Sequence, residues 1–258
     1  PFDPPKEYLN KFNPNDMPLP SVHPDEADAK TTFQKLDRIW AHNTPGEFQV
    51  ESMTEDDKRL VYAAYMAMVS LIDDQVGRIL EALEESGQAD DTLVVFMSDH
   101  GEMLGDHGIY FKGPHFYDCQ MRVPLIMRWP NGGIVENRRV DGFVELVDLV
   151  PTFLEAAGLV IPSAVQGSSL LPLLIGGEEN DFCREQVYAE YYNAWTHSEA
   201  YGTMLRTKSW KVVVYHGTNQ GELYNLMEDA DEFFNLWDDP VHAQRKQELV
   251  LKCFDASV

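Results

Sequence analysis

An amphipathic segment of helical length, followed by a tight turn and a short β-branched run, most constrains what this chain can fold into. Between Thr54 and Gly87, the residues Leu60, Ala64, Ala67, Leu71, Ile79 and Leu83 recur at helical spacing, which gathers them on one face. Thr54 with Asp57 reads as a capping box, and Gly87 suits a left-handed stop. Asp73-Asp74 lies inside this helix. Successive helical residues point about 100° apart, so solvent or ion-pair duty is expected of that pair. Asp90-Asp91 makes a turn, and Thr92–Met97 is a short, buried-type strand. Helix, turn and strand are half of a βαβ unit. The expected fold class is therefore α/β, with a mostly parallel sheet flanked by helices. Ligands in such sheets gather beyond the carboxyl ends of strands, where Ser98-Asp99-His100 stands.

The segments around this unit are less regular. Residues 1–50 are proline-rich and read as extended, with a short helix near Asp25–His42; His23 and His42 are expected on the surface. The opening Pro1-Phe2-Asp3-Pro4-Pro5 has the character of a mid-chain loop, so upstream sequence is expected. Val123–Met127 is a second apolar run, and Arg138–Val144 a candidate short strand. Asp148 is placed to cap a helix Leu149–Ala157, closed by Gly158, and Leu170–Leu174 is a short helical piece. From Gln186 onward, Val187–Tyr192, Tyr201–Thr207, Trp210–Tyr215 and Glu222–Leu226 are β-type runs, and Val241–Phe254 a final helix. Sequential strands plus a helix predict a smaller C-terminal antiparallel sheet. The expected domains are 1–185 and 186–258.

Composition narrows the function classes. With 43 acidic against 20 basic residues, the net charge is −23. Such a chain repels phosphate backbones, so no nucleic-acid partner is expected. No apolar run reaches the length of a membrane span. Cys119, Cys183 and Cys253 lack CxxC spacing, which argues against a zinc knuckle or a disulfide framework.

The chemistry concentrates just past the first strand. Asp99 offers oxygen ligands and His100 an imidazole nitrogen, and a turn through Gly101 lets both reach one ion. Two protein ligands are too few for a tight divalent site, so others must come from elsewhere. Lys112 returns as a loop cation, suited to a substrate with several anionic oxygens such as sulfate or phosphate. His107 and His115 are placed to donate to that anion or to the leaving oxygen. His107 is therefore expected to act with Lys112 in catalysis, and His115 to bind substrate with it. Tyr117 and Asp118 read as structural, with Arg122 pairing to an acid such as Asp118.

This conjunction closely resembles the sulfatase family, within the alkaline-phosphatase-like superfamily. The resembling motifs are Ser98-Asp99-His100-Gly101, Gly105-Asp106-His107-Gly108, Lys112-Gly113, Arg122-Val123-Pro124, Val147–Thr152 and Glu222–Leu226, together with the helix Tyr62–Leu83. They occur in the family's order over nearly the whole chain. The Asp-His form is similar to the iduronate-2-sulfatase and phosphonate monoester hydrolase branches. The resemblance implies an alkaline-phosphatase-like sheet, sulfuric ester hydrolysis, Asp99 and His100 as metal ligands, and Lys112 on the sulfate. Calcium is the family's usual ion; a histidine ligand makes manganese or zinc an alternative.

The sequence also departs from the family. No cysteine here has the Cys/Ser-x-Pro-x-Arg context of the family nucleophile, which as cysteine becomes formylglycine. The family's further metal carboxylates lie near its N-terminus and are absent. The resemblance thus implies a C-terminal portion, starting just after a family histidine that precedes a Pro-Phe like Pro1-Phe2. The implied partners are the N-terminal half of the same enzyme and a sulfate ester, a sulfated sugar or a small ester; homo-oligomerisation stays open. A secreted or periplasmic location follows by family alone. Little hydrolysis and weak metal affinity are expected of the chain by itself. Phosphonate or phosphate ester cleavage and a non-catalytic binding chain are the alternatives.

Overall fold

The computed structural model describes residues 2–40, 50–177, 184–193 and 199–256. His42 and Cys183 lie outside them. The proline-rich opening holds α1 (Lys6–Leu9), α2 (Glu26–Ala29) and α3 (Thr32–Trp40). The single helix expected near Asp25–His42 is thus two helices. They are divided at Lys30, whose backbone is extended (φ −69°, ψ 142°).

Helix α4 (Glu55–Glu85) begins as the sequence predicts. The Thr54 hydroxyl accepts from Asp57 N, and the Asp57 carboxylate accepts from Thr54 N at 2.8 Å. Glu55, Asp56 and Asp57 add negative charge where the helix dipole favours it. Gly87 takes the left-handed conformation, with φ +70°, at no steric cost. Asp74 does the ion-pair duty expected of it. It accepts from the Tyr8 hydroxyl at 2.8 Å and lies 3.5 Å from Lys11 Nζ, so α1 is fastened to α4.

Strand β1 (Val94–Met97) pairs with β2 (Leu125–Arg128), Val94 opposite Arg128 and Met97 opposite Leu125. This pair is antiparallel, so the parallel pairing expected from the βαβ reading does not hold for it. Parallel neighbours need a crossover laid along the sheet face. Here the connection instead folds outward through turns and the short helix α5 (Asp118–Met121) and returns to β1 from the opposite direction.

Two further expectations are corrected. Arg138–Val144 forms no strand. Instead the Arg138 guanidinium donates to Leu173 O and Gly177 O, both at 2.7 Å, at the end of α7 (Leu171–Leu174). Asp148 precedes α6 (Leu149–Ala156) but makes no side-chain cap. Its buried carboxylate takes both guanidinium nitrogens of Arg184 at 2.7 Å, with Glu145 N and Ser168 N at 2.8 Å.

The C-terminal region is an antiparallel meander, β3 (Gln186–Tyr192), β4 (Tyr201–Thr207), β5 (Trp210–Tyr215) and β6 (Gly221–Asn225), followed by α8 (Ala243–Ala256). Side chains alternate across such a sheet, and both faces are used. Leu205, Val212 and Leu223 pack with Leu249 and Cys253 of α8. Met204, Val213 and Tyr215 pack on the other face with Phe33 and Phe116, while Tyr224 and Leu226 pack with Met103, Ile109 and Tyr117. The stretch between β1 and β2 is therefore part of this sheet's own core. Among the described residues, no helix is long and apolar enough to cross a membrane.

Candidate active site

Beyond Met97 the chain turns sharply, and local bonds fix the turn. The Ser98 hydroxyl donates to His100 O at 2.9 Å, and His100 N donates to Asp99 Oδ1 at 3.0 Å. That backbone bond, followed by the nearby His100 ring, holds the Asp99 carboxyl below the usual carboxylate range. His100 Nδ1 lies 2.8 Å from Gly101 O. A carbonyl oxygen can only accept, so Nδ1 carries a hydrogen, and in the neutral ring Nε2 is then the nitrogen with the lone pair. Nε2 stands 3.6 Å from Asp99 Oδ2. Two donor atoms at that separation suit neighbouring ligands of one cation, and a histidine fixed through its other nitrogen by a carbonyl is the usual support for such a ligand. Among the described residues, no group of three or more His, Cys, Asp or Glu side chains is placed to hold a metal. Asp99 and His100 thus fit as part of a ligand set that others must complete.

Gly101 is needed for close approach. A Cβ there would meet Cys119 O at 2.0 Å, and Gly101 N donates to Gln120 O at 2.7 Å. Glu102, which the sequence alone did not single out, braces the next loop. Its Oε1 accepts from Leu104 N at 3.2 Å and from Phe111 N at 2.6 Å. Burial pushes its carboxyl up, against the pull of those two N–H groups and of nearby His100 and Lys112. Leu104, His107 and Phe111 all have positive φ (48°, 57° and 66°). Such backbone is costly for non-glycine residues and persists only where the surroundings impose it. Phe111 leads directly into Lys112, which is exposed. The Lys112 charge is close enough to act on both Asp99 and Glu102.

The two other histidines are elsewhere. His107 is 5 % exposed, stacks on Tyr117 with ring centres 3.8 Å apart, and has Nδ1 2.8 Å from Glu26 Oε2. Lys30 Nζ is 3.1 Å from the same oxygen. Burial opposes the Glu26 charge, but the His107 bond and Lys30 carry its carboxyl below the usual range. Ser21 N donates to Asp106 Oδ1 at 2.7 Å, and His107 N donates to Ser21 O at 2.8 Å. The proline-rich segment is thereby strapped over the Gly105–Gly108 turn. His115 is 1 % exposed, its ring 6.5 Å from that of Tyr117. The structure brings Asp99, His100 and Lys112 together at the surface and places His107 and His115 in the layer beneath.

Asp118 is structural, as expected, but Arg122 is a minor partner at 3.9 Å. Arg206 grips it with two bonds, at 3.0 and 2.9 Å, and Lys211 Nζ lies 2.6 Å from Oδ1. Lys211 also pairs with Glu232. Burial opposes the Asp118 charge; Lys211 and Arg206 outweigh it and hold its carboxyl low. The described cysteines offer no thiolate: burial pushes Cys119 and Cys253 up to about 12.

Known families and structures resemble this chain over most of its length. Residues 23–159 match the model of the family described as Sulfatase, and residues 105–256 that of N-sulphoglucosamine sulphohydrolase, C-terminal. The chain is 34 % identical over 189 residues to an N-acetylglucosamine-6-O-sulfatase of Bacteroides thetaiotaomicron, covering 72 % of this chain and 34 % of that protein. A phosphonate monoester hydrolase from Silicibacter pomeroyi superposes with a TM-score of 0.86 at 29 % identity, over 98 % of this chain and 52 % of that one. A protein solved in complex with its substrate, D-glucosamine-2-N,6-O-disulfate, superposes with a TM-score of 0.70 at 31 % identity, over 78 % and 41 %. The chain spans between a third and a half of the length of the curated relatives it matches.

Proposed function

From the premise that this chain belongs to the sulfatase family, we propose that it supplies one half of a metal-dependent sulfuric ester hydrolase site. The observation that carries this reading is the convergence of Asp99 Oδ2 and His100 Nε2, 3.6 Å apart, beside an exposed lysine. Asp99 and His100 would hold a divalent cation, with calcium first and manganese or zinc as alternatives. A cation there supplies Lewis-acid polarisation of an ester oxygen. The chain's own residues do the rest of their share. The Gly101 carbonyl keeps the proton on His100 Nδ1. Glu102 anchors Phe111 N and so presents Lys112. The Lys112 ammonium neutralises the anionic oxygens of the substrate as charge builds on them.

His107 enters this proposal as a support of the turn. Its Nδ1 is committed to Glu26, which weighs against a proton-donor role. His115 backs the loop that carries Lys112. The sequence's assignment of these two residues to catalysis and substrate binding would require them to be uncovered. The nucleophile and the remaining carboxylate ligands are assigned to polypeptide that completes the relatives' length. That polypeptide would cover the apolar side chains exposed on α4, β1, β2 and α6, among them Ile79, Phe96, Ile126 and Phe153. A sulfated sugar is the favoured substrate class, because a structural relative was solved with a glucosamine disulfate.

In the complete protein, Lys112→Ala should lower kcat/KM on an aryl sulfate by about 100-fold or more; near-normal turnover would remove the lysine from the site. The likeness to phosphonate monoester hydrolase supports a second reading, hydrolysis of phosphonate or phosphate esters. Rates on matched 4-nitrophenyl sulfate and 4-nitrophenyl phenylphosphonate separate the two.

A further inference from the structure

Lys112 is exposed, yet the residues that follow it, Gly113 to Phe116, are buried. Their four carbonyl oxygens are capped one after another by side chains. Gln120 Nε2 donates to Gly113 O at 2.9 Å and to His115 O at 3.0 Å. The Tyr215 hydroxyl stands 2.9 Å from Pro114 O and 2.8 Å from Glu222 Oε1, which share its one hydrogen, and Lys211 Nζ donates to Phe116 O at 2.8 Å. An amide atom facing two carbonyl oxygens must be the NH2 end, which fixes the orientation of Gln120. Its Oε1 lies 3.4 Å from Gly113 N. The backbone carbonyl of the same residue accepts from Gly101 N at 2.7 Å, one residue beyond His100. Gln120 is buried, so these bonds compete little with water. A single residue therefore bonds both the segment that leads from the metal-type pair and the segment that follows the lysine.

We propose that Gln120 is a positioning residue: it sets where Lys112 stands relative to Asp99 and His100, backed by Tyr215 and Lys211 from β5. This rests on the active-site reading above. The Asp99–His100 turn fixes itself through bonds between neighbours. The Lys112 segment is braced before the lysine by Glu102 through Phe111 N, and after it by groups from α5 and β5. The two segments thus meet at Gln120, whose side-chain amide holds the backbone after Lys112 and whose backbone carbonyl holds Gly101 N.

The test is a double-mutant cycle in the complete protein with 4-nitrophenyl sulfate as probe. Gln120→Met keeps the volume and removes both donors. It should lower kcat by about 10- to 100-fold, with KM changed by less than about 3-fold, the scale on which misplacement or loss of a supporting bond acts. In a Lys112→Ala background the same substitution should cost less than about 3-fold, because the group it positions is gone. Equal fold-losses in both backgrounds, or no loss at all, would overturn the proposal. If instead Lys112→Ala alone leaves kcat/KM unchanged, the active-site reading falls first. Should Gln120→Met not fold, Gln120→Asn, one methylene too short to reach both carbonyls, carries the same cycle with an expected loss of about 3- to 10-fold.

Discussion

Lys211 and Ile79 invert the ordinary preferences of their side chains. The lysine, on β5, is 0 % exposed, and the isoleucine, on α4, is 67 % exposed. Charged side chains are almost never fully buried unless paired, whereas isoleucine is among the most buried residues. The C-terminal sheet has both faces covered, by α8 and by the β1–β2 connection, and its buried lysine has Asp118, Glu232 and Phe116 O as partners. The α4–β1–β2–α6 region leaves Ile72, Ile79, Phe96, Ile126, Val150 and Phe153 exposed. A two-stranded pair by itself is at best marginally stable, and isoleucine and phenylalanine are side chains that burial favours. One region gives its buried charge partners of its own; the other exposes apolar side chains that the proposal above assigns to a covering polypeptide. The candidate active site lies on the seam between them.

Substitutions can break or sharpen this contrast. The largest effect is expected at Lys211→Met. It leaves the buried Glu232 without its cation, while Asp118 keeps Arg206, and should cost about 3–5 kcal/mol, read as the shift in urea midpoint of the complete protein. A loss below about 1 kcal/mol would mean that the sheet does not depend on the network.

Glu26→Gln should cost about 2 kcal/mol near pH 7, since it weakens charge-assisted bonds to His107 and Lys30. The folded-state carboxyl lies below its unfolded value. Its contribution is therefore full above the unfolded value of about 4.3 and is lost as pH falls through the folded one. The difference between wild type and variant should shrink below about pH 4, and a constant difference at every pH would sink the assignment.

The smallest effect is expected at Ile79→Ala in the chain as it stands, within about 0.5 kcal/mol for an exposed site. In the complete protein the same change should cost about 2 kcal/mol or more if the apolar face is covered. Equal small effects in both would show that the face stays open.

Much of this was legible in the residues. The capping box of Thr54 and Asp57, the stop at Gly87, the strand before Ser98 and the meander from Gln186 all depend on neighbours within a few positions. So does the Asp99–His100 pair, whose bonds run between adjacent residues. The misses share the opposite property. The antiparallel return of β2, the irregular path of Arg138–Val144 and the Asp148–Arg184 pairing each depend on where a distant segment packs. Glu102 carried no sequence signal beyond being an acid near a histidine.

The sequence by itself determined the α/β class, the long helix and most of the strands, the local turn that joins Asp99 to His100, and membership of the sulfatase family. Local periodicity, capping and motif order carry that information. Only the tertiary structure decided which polar groups lie inside. His107 meets Glu26 across 81 residues, Lys211 meets Asp118 across 93, and Tyr215 meets Pro114 across 101. Burial of a charge is set by the groups that replace its water, and those arrive from parts of the chain that no local pattern connects.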